Sequence, residues 1–84
     1  MNPSIAAILD GGRERAGLSN RDLWVAYCSL GGGATPGGLD SFLAGDAVPT
    51  GADYDLIAQA LNDVFVSRGG NHPIPYYDDM PDAP

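Results

Sequence analysis

The chain has 84 residues, 44% of them apolar, with one cysteine, one histidine and a net charge of −7 from eleven acids against four arginines and no lysine. That length makes one small domain at most, a single cysteine forms no internal disulfide, and one Cys with one His supplies no zinc ligand set. The charge has the wrong sign for a stand-alone DNA binder, because basic side chains that neutralise phosphates supply most non-specific affinity.

Pro3 and Ser4 are expected to open a first helix with Ile5, Ile8 and Leu9 on one face. Gly11 and Gly12 weaken its middle, each by roughly 1 kcal/mol relative to Ala. Ser19 with Asp22 three residues on makes a capping-box-like start for a second helix. Leu23, Ala26, Tyr27 and Leu30 form its apolar stripe, while Trp24, Val25 and Cys28 fall outside it. A helix that is apolar nearly all round is either central to the core or shares a surface with a partner.

The Gly31-Gly32-Gly33 run ends that helix. Thr35 as N-cap and Pro36 at the first helical position predict a third helix over residues 36–44, stopped by Gly45. Thr50 caps a last helix of about residues 52–68, with Tyr54, Ile57, Ala58, Leu61, Val64 and Phe65 along one side. Beyond Gly69-Gly70 the chain reads N-H-P-I-P-Y-Y-D-D-M-P-D-A-P, with four prolines, three acids and neither helical nor strand period. That composition predicts an extended or disordered tail, separable from the fold unless Tyr76 or Tyr77 packs back on the body. Without residues 69–84 the chain keeps eight acids and four arginines, a charge of −4, so the body is acidic on its own account.

The spacing of Gly33, Leu39, Gly45, Pro49 and the run Ile57-Ala58-Gln59-Ala60-Leu61-Asn62 resembles the second half of an XRE-type, phage-repressor-like helix-turn-helix domain. Upstream, Gly12-Arg13-Glu14-Arg15-Ala16-Gly17-Leu18-Ser19 is similar to that family's R-E-x-x-G-L-S start, and Leu23 follows four residues after Ser19. The likeness spans about residues 5–65. The sequence departs from the pattern in a surplus of about five residues between Leu23 and Gly33, which lengthens helix two and its turn. The fold class expected is therefore all-α: a four-to-five-helix domain over residues 1–68, then a Pro/Asp-rich extended tail over 69–84.

The resemblance implies that the start of helix three meets base edges in the major groove. This chain places Thr35, Pro36, Gly37, Gly38, Asp40 and Ser41 there, and only Thr35 and Ser41 offer a hydroxyl. Arg13, Arg15, Asn20 and Arg21 match positions where the resemblance implies phosphate contacts. Two readings stand for that cluster: phosphate binding, or solvated ion pairs such as Arg13 with Asp10 and Arg15 with Asp22. Two also stand for Leu43, which sits where the resemblance predicts a polar residue. With Trp24, Tyr27 and Phe42 it either replaces the DNA-facing surface by an apolar protein interface or is buried internally. Tyr76 and Tyr77 in the tail are further candidate contacts to a protein partner.

No Ser or Cys has a His and an acid at fixed positions, no Gly-rich loop follows a strand, and paired Glu residues are missing, so an enzyme is not expected. No cofactor and no metal are expected, and His72 reads as a linker histidine. With no run of eighteen apolar residues and no basic apolar leader, the expected setting is soluble and cytoplasmic, without a membrane partner. The leading expectation is a transcription-associated regulator acting on another protein, with a homodimer among its assemblies. The alternatives are a dimeric DNA-binding repressor and an acidic DNA mimic or antitoxin-like inhibitor.

Overall fold

The structure is a computed structural model, described for residues 4–79; Pro3 and the tail beyond residue 79 lie outside the described residues. It contains α1 (Ile5–Ala16), α2 (Asn20–Ser29), α3 (Pro36–Ala44), α4 (Gly51–Ser67) and a short 3-10 turn at Tyr77–Asp79. Among the described residues there is no strand, and no helix is long and apolar enough to cross a membrane.

Each helix begins on a hydroxyl residue. The side chains of Ser4, Ser19, Thr35 and Thr50 accept from the backbone N–H of Ala7, Asp22, Gly38 and Asp53 respectively. Every cap satisfies an otherwise orphaned donor, an arrangement worth about 1 kcal/mol each. The helix ends are less uniform. α1 and α3 stop on Gly17 and Gly45, whose φ of 73° and 84° lies in the left-handed region that a side chain resists.

α1 and α2 each pack on both α3 and α4. Between the four helices lie Leu9, Leu23, Tyr27, Leu39, Leu43, Tyr54, Ile57, Ala58 and Leu61. On α4 the buried set Tyr54, Ile57, Ala58 and Leu61 has the i, i+3, i+4, i+7 spacing of one helical face. The α2 stripe is only half realised: Leu23 and Tyr27 are buried, whereas Ala26 and Leu30 line an open groove with Ala60 and Val64 of α4. On α3 the inward pair is Leu39 and Leu43, with Phe42 only half-buried.

Two arginines close the rear of the bundle. Arg13 donates from Nε to Asp10 at 2.9 Å and from Nη1 to the Leu18 carbonyl at 2.8 Å, which fixes the turn after α1. Arg68 donates to the Ala16 carbonyl at 2.6 Å, tying the end of α4 to the end of α1.

Residues 74–77 of the tail pack on the helices, where the sequence suggested an extended segment. Residues 70–76 form no helix or strand, yet Ile74 is 1% exposed and belongs to the core. Its N–H donates to Asn62 Oδ1 at 3.0 Å, and Asn62 Nδ2 donates back to its carbonyl at 2.9 Å. The Tyr54 hydroxyl donates to the Pro75 carbonyl at 2.7 Å, and the Tyr77 N–H donates to Asp55 at 2.8 Å. The physical reason is that apolar periodicity registers helices and strands, and a single isoleucine between two prolines carries no period.

Candidate functional site at the α2–α3 turn

The family resemblance implies phosphate contacts at Arg13, Arg15, Asn20 and Arg21 and base contacts at Thr35 and Ser41, residues of α1, α2 and the start of α3. The turn between α2 and α3 is long but strongly anchored. Trp24 Nε1 donates to the Ala34 carbonyl at 2.9 Å, and the Ala34 N–H donates to the Tyr27 hydroxyl at 2.9 Å. Two α2 aromatics thus hold both polar groups of one turn residue. The Tyr27 hydroxyl in turn donates to Asp53 Oδ1 at 2.8 Å, linking the turn to the first turn of α4.

Gly32 lies on the Tyr27 ring. A Cβ built there would stand 2.3 Å from Cζ, so only glycine fits this approach. Burial pushes the Tyr27 hydroxyl up from its ordinary value of 10.0; the Asp53 bond and charge add to this, while the backbone donors of Ala34 and Gly33 oppose it. The hydroxyl stays protonated and the strut persists through neutral pH. Residues 30–35 between α2 and α3 therefore form a pinned loop.

At the start of α3, the Thr35 hydroxyl serves as the N-cap, accepting from Gly38 N–H at 3.0 Å. Pro36 and Gly37 are exposed beside it and carry no side-chain donor. Asp40 is exposed and accepts from Asn20 Nδ2 at 3.0 Å, a bond joining α2 to α3. Ser41 is half-buried, and its carbonyl accepts from Asp46 and Ala47 N–H at the α3 terminus.

The arginines do not assemble into one basic surface. Arg13 is engaged with Asp10, Glu14 and the Leu18 carbonyl, its side chain 19% exposed. Arg15 stands 5.8 Å over the Phe65 ring, a cation–π contact to α4 and not the expected pair with Asp22. Arg21 is exposed on α2 and makes no ion pair among the described residues.

The apolar candidates likewise part company. Tyr27 and Leu43 are core residues, 0% and 6% exposed, and are closed to a partner. Of the two readings of Leu43, internal burial is the one realised. Trp24 and Phe42 are half-buried against the core. Tyr76 is half-buried, and Tyr77 packs edge-on against Tyr54 at 5.9 Å.

Sequence reasoning missed Asp53, Ala34 and Gly32. Asp53 was legible only as the third residue after a Thr cap, and Gly32 only as a helix stop. No protein-family model matches the chain, and searches of curated proteins and of solved structures find no match.

Proposed function

We propose that this chain is a non-enzymatic, transcription-associated regulator of helix-turn-helix type that works through protein contacts rather than by reading bases. The observation that carries the reading is the Asn20–Asp40 bond. A side chain that the family resemblance assigns to phosphate is spent on a carboxylate, and that carboxylate stands on the helix assigned to the major groove. Asn, Gln and Arg supply the bidentate contacts that discriminate bases, and the exposed start of α3 carries none of them. A net charge of −7 adds repulsion from phosphate over the whole surface.

Fluorescence anisotropy with arbitrary duplex DNA tests this reading. Non-specific DNA binders typically reach about 10⁻⁴–10⁻⁶ M at physiological salt, and this chain is expected to bind more weakly still. Sub-micromolar binding that weakens steeply with added salt would overturn the proposal in favour of a dimeric repressor. That second reading draws on Arg21, an exposed cation in the first turn of α2 without an acidic partner among the described residues.

A further inference from the structure

The tail is held by features that recognise a peptide rather than merely cover a surface. Asn62 is 1% exposed and spends its amide on both backbone groups of Ile74, a pairing that reads the main chain of one residue at a bend. The Tyr54 hydroxyl takes the next carbonyl, that of Pro75. The Ile74 side chain fills a seat opened by Gly12: a Cβ on Gly12 would stand 2.7 Å from Ile74 Cδ1 and 3.1 Å from Leu61 Cδ1. The glycine that weakens α1 is thus what admits the isoleucine. Farther along, Tyr77 lies over Gly51, where a Cβ would meet its ring at 3.3 Å, and its N–H is held by Asp55.

The connection to this arm is slack by comparison. Gly69 and Gly70 still bond back to the Val66 and Phe65 carbonyls at the end of α4, but residues 71–73 are exposed and make no hydrogen bond among the described residues. The arm residues that are held, Ile74, Pro75 and Tyr77, therefore all lie beyond the connector, and none of their contacts depends on the arm belonging to the same chain.

We propose that Gly12, Tyr54, Asp55 and Asn62 form a peptide-reading slot that also takes residues 74–77 from a second copy of this chain, giving an arm-exchanged dimer. The second copy is the occupant because its arm has the side chain, the main-chain course and the following proline that the slot already fits. Exchange of identical elements is a low-cost route to a two-fold dimer, since whatever the arm gives up in its own chain it makes again in the other. The cis arm competes at an effective concentration on the order of millimolar for a short flexible connection. The wild-type chain is accordingly a monomer at micromolar concentration, and exchange emerges as chain concentration approaches that level or when the cis arm is disabled. The inference depends on the slot alone and stands apart from the reading of the α2–α3 turn.

Two full-length variants test it. Ile74→Asp leaves a slot without a fitting arm, and Asn62→Ala, or Gly12→Leu in its place, leaves an arm without a good slot. Sedimentation analysis is run on each alone and on the mixture, at roughly the millimolar concentration the cis arm enjoys. The mixture is expected to give a one-to-one species of twice the 8.7 kDa chain mass, while each variant alone remains monomeric. Folded variants whose mixture stays monomeric overturn the proposal. Should circular dichroism show a variant unfolded, the wild-type chain decides at the same concentration. Isotope-filtered NMR of a mixture of differently labelled copies is expected to show contacts between Ile74 of one copy and Leu61 of the other, and their absence overturns the exchange.

Discussion

Asn62 and Ile74 hold each other by two hydrogen bonds, 2.9 and 3.0 Å, between a buried side-chain amide and a buried backbone. This ties Ile74 to α4. Ile74→Ala removes a core side chain that is 1% exposed, a change that costs about 2–5 kcal/mol. At about 4–8 °C per kcal/mol for a domain of this size, the thermal midpoint should fall by more than roughly 8 °C. A chain ending at Gly70 should lose at least as much, and an unchanged midpoint in either case would show that the arm contributes nothing to stability.

The adjacent glycines of α1 should respond in opposite ways. A Cβ on Gly11 meets nothing within 4 Å, so Gly11→Ala should stabilise by about 0.4–1 kcal/mol through helix propensity and a less flexible unfolded chain. Gly12→Ala brings the same gain, but its Cβ enters the Ile74 and Leu61 methyls. The Ile74 tip must turn away, so no net stabilisation is expected. Urea unfolding of the two variants side by side checks this, and equal gains would show that the Ile74 seat is loose.

Tyr27 should set the alkaline limit of the fold. Its folded-state pKa is raised, mainly by burial, so the unfolded chain ionises first. The stability linked to this group is fully present below about pH 10, the ordinary tyrosine value, and is lost as pH rises through the folded value. Tyr27→Phe should flatten that alkaline limb. It should also lower stability near neutrality by about 1–3 kcal/mol, because the Ala34 N–H loses its acceptor. An identical pH profile in the two proteins would rule out Tyr27 as the titrating group.

The helices were legible because local signals agreed with the packing: four Ser/Thr caps, Pro36 at the start of α3, and glycines at the helix ends. Residues 36–44 coincide with α3, and α4 begins one residue before the expected position. The pairing of distant residues was not legible. Tyr27 with Asp53, Trp24 with the Ala34 carbonyl and Asn62 with Ile74 join segments ten to twenty-six residues apart, and no periodicity encodes them. The α3 register shows the same limit. Leu39 fixes the inward side, but Phe42 and Leu43 lie on either edge of it, and only packing against the other helices selects Leu43.

That selection separates two residues that the sequence grouped as one apolar surface. Leu43→Ala should cost about 2–5 kcal/mol, the range for truncating a buried leucine, and should act on folding alone, since Leu43 is 6% exposed. Trp24→Phe keeps most of the half-buried ring volume but removes the indole donor from the Ala34 carbonyl. Its cost should be nearer 1 kcal/mol, the typical net worth of one hydrogen bond, with the loss concentrated in the turn. Amide hydrogen exchange distinguishes the two. Leu43→Ala should lower protection across all four helices, as global unfolding does, whereas Trp24→Phe should speed exchange chiefly at Gly32 and Ala34. If both variants keep wild-type stability and protection, neither side chain supports the fold, and the surface reading of Trp24 and Leu43 would have to be restored.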